Sequence, residues 1–147
     1  MRFTWRSDSA EAEVAGQAEQ RANRDVIAYN STLRIDSRTI IGVAFTIRKV
    51  SLGMRMELMR KIREISGKVD FLRAGDDLQE RIEANLLQHE VDATYLRWGL
   101  LEVRGLDIDG EPATAGLLIE RGPEQLTAEI VAAIRAECAL SEEERKN

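Results

Sequence analysis

The sequence predicts an α+β fold, predominantly helical: a small N-terminal β-hairpin, then an antiparallel helix pair and shorter C-terminal helices. Three observations carry this expectation. Of the 147 residues, 44% are hydrophobic, 32% charged and only 5% aromatic, a mixture that suits helices packed through aliphatic side chains. In one short window apolar residues recur at period two, the spacing of a half-buried strand. Over most of the remaining chain they recur at spacings of three and four, which puts them on one face of a helix. The length fits one ordinary domain. We read residues 1–30 as a flexible or marginally helical segment and 31–147 as a single α-rich domain.

Within the first segment, residues 1–10 are small and polar and expected to fray. The following "AEAEVAGQAEQRANRDVIAY" is rich in Ala, Glu and Gln. It has helix propensity but few large apolar side chains to dock it, so it is expected to order only against a partner. The hairpin comes next. Leu33 and Ile35 alternate with polar neighbours, as do Ile41, Val43, Phe45 and Ile47. The "DSR" at 36–38 is the expected turn. Two strands alone are barely stable, so a helix or another chain must cover their apolar face.

Ser51 is placed to cap the first long helix. Leu58, Ile62, Ile65, Val69 and Leu72 form its stripe, and Gly75 is expected to close it. Basic residues crowd this region: Arg48, Lys49, Arg55, Arg60, Lys61, Arg63, Lys68 and Arg73. Asp76 or Asp77 caps the second helix. Leu78, Ile82, Leu86, Ala93, Leu96 and Leu100 form one stripe on it, with His89 among them. Leu87, Val91, Tyr95 and Trp98 form a second, expected beside the first, and such a wide apolar face implies contact on two sides. The short connection between the helices makes them an antiparallel pair. Thr114 or a neighbour starts a short helix, "AGLLIER", which Gly122 ends. Pro123 opens the last helix, where proline costs least, and Leu126, Ile130, Val131 and Ile134 line it. "LSEEERKN" is expected to be a solvated end, with Ser141 placed to cap its acids.

The "DIDGE" at 107–111 tests for a calcium loop. With Gly110 at the sixth position of an EF-hand loop, Asp107 and Asp109 fall at the third and fifth. The first and twelfth positions become Gly105 and Gly116, which lack the side-chain oxygens the ion needs. The residues read instead as a tight turn, in which glycine accepts a positive φ.

Composition also bounds function. The net charge of −5 argues against nucleic acid as the default partner. Cys138 and His89 are the sole cysteine and histidine, too few for a structural zinc site and without the partners nucleophilic catalysis requires. No phosphate-binding or dinucleotide-binding glycine motif is present. We therefore expect no enzyme activity, no catalytic or metal-binding residues and no cofactor. No apolar run approaches the length of a membrane span, and no signal-peptide core is seen at the start. These features and the single cysteine point to a reducing cytoplasm. The basic stretch 48–73 lacks interleaved aromatics for stacking on bases. From residue 107 to 144 acids outnumber bases ten to two. An open strand edge, a wide apolar helix face and segregated charge suit a binding module for a partner's helix or strand.

Four segments in order then become informative: "IIGVAFTIRKVSLGMRMELMRKIREI", "FLRAGDD", "YLRWGLLEVRGLDIDGEPAT" and "GPEQLTAEIVAAIRAECALSEEERKN". Together they resemble the tail assembly chaperones of long-tailed bacteriophages and prophages over roughly residues 40–147. The most specific parts are Trp98-Gly99-Leu100, the Gly105–Gly110 turn and Gly122-Pro123-Glu124. The resemblance implies a mostly helical factor of the host bacterial cytoplasm that binds the tape measure protein. It would keep that protein soluble while tube subunits polymerise around it, and then leave, so that it is no part of the mature virion. The resemblance also implies contact with tail tube subunits and with a frameshifted longer form of itself, and admits a homo-oligomer. Lys146-Asn147 fits a slippery site for such a frameshift. The contact surface expected from the apolar stripes comprises Phe45, Leu87, Val91, Tyr95 and Trp98, with Arg60 and Arg63 steering. The alternatives are a structural tail component, such as an adaptor or tube-associated protein, and a small nucleic-acid-binding regulator using the basic helix.

Overall fold

The computed structural model describes residues 25–74 and 77–146. The chain divides into two units, 1–30 and 31–147. In the first, residues 25–30 form neither helix nor strand, and the rest of the expected marginal helix lies outside the described residues. The second is α+β and mostly helical. Its elements are β1 (Thr32–Asp36), β2 (Ala44–Arg48), α1 (Leu52–Arg73), α2 (Leu78–Gly99), β3 (Leu100–Arg104), β4 (Asp107–Ile108), β5 (Glu111–Pro112), α3 (Ala115–Arg121) and α4 (Glu124–Lys146).

The hairpin forms with Leu33 opposite Ile47 and Ile35 opposite Phe45. Its turn is longer than the expected "DSR". The strands close through the Ser37 amide on the Val43 carbonyl at 2.8 Å, which leaves Ile41 outside the strand and 98% exposed. A third strand joins the sheet. β3 pairs antiparallel with β2 on its other side, so β2 is central and both its neighbours are edges. The expected stripe had carried Leu100 onward as helix. Gly99 ends the helix instead, and the extended "LLEVR" supplies the strand.

Ser51 caps α1 by accepting from the Met54 amide, and Asp77 caps α2 by accepting from Gln79. The expected Gly75 cap lies outside the described residues. On α1 the predicted stripe is the buried face, with Leu58, Ile62 and Val69 inside. Thr114 caps α3 through the Leu117 amide, and the Gly122 amide closes it on the Leu118 carbonyl. A Cβ at Gly122 would sit 2.6 Å from the Leu118 Cα, so only glycine fits. α4 continues unbroken through Ser141 to Lys146, so no new helix starts there, and with 23 residues this helix is as long as either member of the pair.

The core has two parts. The larger gathers Phe45 and Ile47 from β2, Leu96 from α2 and Leu126, Ile130 and Ile134 from α4. The smaller joins Leu58 and Ile62 of α1, Val91 of α2 and Cys138 of α4, and Tyr95 and Trp98 pack against both. Gly99 explains the Trp-Gly-Leu triplet. A Cβ there would lie 2.8 Å from the Ile134 side chain, so glycine lets α2 and α4 approach closely. The "DIDGE" turn is a two-residue hairpin. Asp109 (φ 50°) and Gly110 (φ 83°) both adopt positive φ, as such a turn requires. Asp109 also accepts from Arg121 Nη1 at 3.1 Å. Among the described residues no His, Cys, Asp and Glu group could hold a metal, and no helix is long and apolar enough to cross a membrane.

Candidate functional site

The two apolar stripes of α2 are not adjacent. At 100° per residue their centres lie roughly 180° apart. The stripe of Val91, Tyr95 and Trp98 faces α1, and Leu87 meets Leu72 of α1 around a shallow hollow. The other stripe faces away. At its C-terminal end α4 and the sheet cover it, and Leu96 is fully buried. At its N-terminal end nothing described covers it. Leu78, Ile82 and Leu86 are 69%, 61% and 60% exposed. Phe71 of α1, 79% exposed, instead lines the hollow with Glu83 and Leu87 on the side of α2 that α1 covers. Three large apolar side chains in one exposed row are the kind of patch that marks an interaction surface.

Most of the expected contact residues therefore lie elsewhere. Phe45 and Val91 are buried in the chain's own core, because β2 is the central strand and the Val91 stripe is the one α1 covers. Leu87, Tyr95 and Trp98 are half-buried by the same packing. Arg60 and Arg63 are exposed on α1. His89, expected to be packed, is exposed, because its stripe is the outward one. Arg55, grouped by sequence with the basic flank, is instead buried, and its Nη2 donates to the Cys138 carbonyl at 2.8 Å. Cys138 is a small core residue.

Two polar devices were missed. Arg135 of α4 donates to Asp92 of α2 at 2.6 Å and lies 4.9 Å over the Tyr95 ring. That part-buried pair pins α4 to α2. Glu129 of α4 holds the β1–β2 turn. Its carboxylate accepts from the Thr39 hydroxyl at 2.6 Å, the Thr39 amide at 3.0 Å, the Arg38 amide at 3.2 Å and the Ser37 hydroxyl at 3.3 Å. Burial pushes the Glu129 pKa up, but the bonds from Thr39, Ser37 and Arg38 outweigh it and hold the group below the ordinary glutamate value. No local sequence signal joins Glu129 to a loop some ninety residues earlier.

The geometry supports binding: an exposed aliphatic row, Leu78, Ile82 and Leu86, on one member of a packed helix pair. No protein-family model, no curated protein and no solved structure matches this chain.

Proposed function

We propose that this chain is a tail assembly chaperone of a phage or prophage, binding the tape measure protein in the host cytoplasm and holding it soluble until tube subunits replace it. The observation that carries this reading is the exposed row Leu78, Ile82 and Leu86. A helical protein whose own apolar faces await tube subunits needs those faces covered meanwhile, and a row of aliphatic side chains on a preformed helix can cover them. The resemblance of residues 40–147 to such chaperones supports the same reading. Binding only the unassembled partner gives release by mass action once better-packed subunits arrive.

The test is co-expression with the tape measure protein of the same genome, followed by affinity capture. The expected result is a soluble partner that co-purifies with the wild-type chain and is lost with Ile82→Glu. An insoluble, uncaptured partner overturns the reading. Presence of the chain in purified tails would make it a structural component instead.

A further inference from the structure

The exposed row of α2 does not end where α4 arrives. Leu78, Ile82 and Leu86 continue at helical spacing into His89, Ala93 and Leu96. Those three line one wall of an open groove of about 660 Å³ between α2, α3 and α4. The facing wall is α4, where Ala128 and Ala132 stand exposed, and Leu118 of α3 helps close the end. The row and the accessible part of the groove form one track of about 22 Å, from Leu78 to Ala93 at 1.5 Å per residue; Leu96, fully buried, lies beneath its end, and Asp92 and Arg135 also line it. That is about the length of a four-turn helix, beyond a compact small molecule. Alanines on the facing wall let a helix backbone come close while its large side chains fill the groove.

Charge states which helix. Residues 77–97 carry five carboxylates against two guanidiniums, and residues 105–137 carry seven against two. Two of those four bases are engaged within the fold: Arg135 with Asp92 and Arg121 with Asp109. The Glu90 and Glu124 side chains make no ion pair among the described residues. α1, on the other side of α2, has the opposite balance, with six bases against three acids. We infer that the α2–α3–α4 track seats a partner helix of about 15 residues whose large aliphatic stripe is flanked by Lys and Arg. This rests on the reading that the chain binds a helical partner and names the surface and the partner's chemistry. A second copy of this chain fits the track less well. Of the exposed apolar residues of its basic helix α1, Leu52, Met56 and Met59 share one face and span only about 10 Å, and Phe71 lies roughly 100° round the helix from them.

The test uses the full chain and two synthetic helical peptides with the same leucine stripe, one flanked by lysines and one by glutamates, followed by fluorescence anisotropy. The lysine-flanked peptide is expected to bind at least about tenfold tighter at low salt and to weaken as salt rises. Ala132→Trp, which fills the groove from an exposed position, is expected to lower its affinity at least about tenfold. Ile82→Glu should do the same without changing the Tm of the unbound chain. Equal affinity for both peptides, or undiminished binding to Ala132→Trp, overturns the inference. So does a fall in Tm with Ile82→Glu, which would mean that this chain covers the row itself. Self-association that Ile82→Glu abolishes would assign the track to a second copy and also overturn it. The two readings fail separately. A tape measure protein solubilised equally by wild type and Ala132→Trp leaves the chaperone and removes the groove. A lysine-flanked peptide bound through the groove, with the tape measure protein left insoluble, does the reverse.

Discussion

The two halves of α2 carry the same pattern and meet different fates. Around Leu96, in the C-terminal half, both apolar stripes are covered, one by α1 and the other by α4 and the sheet, and Leu96 is fully buried, while His89 and Ala93 before it line the open groove. In residues 78–88 only the α1 side is covered, and Leu78, Ile82 and Leu86 face solvent. Periodicity is a property of the chain, whereas burial depends on what else arrives. A helix with apolar residues on two opposite faces can lie between two layers. Here it does so at its C-terminal end, and the N-terminal half is left as an aliphatic surface.

This contrast can be broken from its buried side first. Leu96→Ala empties a fully buried site and is expected to cost about 3 kcal/mol, read by urea denaturation. A cost below about 1 kcal/mol would mean that the C-terminal half is no better packed than the exposed one. Next in size is the hairpin that follows the covered half. Gly110→Val puts a β-branched residue at φ 83° and should cost about 2 kcal/mol. Asp109→Ala, at φ 50°, should cost less, about 1 kcal/mol, because alanine is unbranched at a φ already held by a non-glycine residue and the Arg121 bond it loses is exposed. Added calcium is expected to leave Tm unchanged, and a calcium-dependent rise would restore the metal reading of "DIDGE".

A smaller effect sharpens the role of α4, the layer that makes the two halves differ. Glu129 holds the β1–β2 turn with a lowered pKa. A carboxylate with a depressed folded-state pKa contributes stability that is present above its unfolded value and is lost as pH falls through the folded one. Glu129→Gln is therefore expected to destabilise by about 1 kcal/mol at neutral pH, discounted for partial exposure. The gap from wild type should close as pH drops below the ordinary glutamate range. A gap constant with pH, in paired melts across that range, would remove the carboxylate's charge from the account. The smallest expected effect lies on the open half. Ile82→Ala, at 61% exposure, should change stability by less than about 0.5 kcal/mol, and a larger loss would show that the row is not a free surface.

Local chemistry made much of the molecule legible. Ser51, Asp77 and Thr114 cap the helices they were expected to cap, and Gly122 ends α3. The Asp-Gly turn and the α1 stripe are also as read. The candidate site was legible only as a list of apolar residues. Both α2 stripes were visible, but the contact residues were drawn from Phe45 and the Leu87–Trp98 stripe, which the fold turns inward. Counting 100° per residue would have shown that the stripes oppose each other, though not which one α1 would take.

What the sequence determined by itself is what depends on a few consecutive residues: periodicity, caps, turn glycines, the acidic and basic blocks and the mostly helical class. The tertiary structure alone decided the third strand beside β2, the close approach at Gly99, the Glu129 hold on a distant turn and the open end of α2. Each of these depends on residues far apart in the chain. A side chain's helical spacing fixes the direction it points, but whether a neighbour stands in that direction is set by how the elements pack.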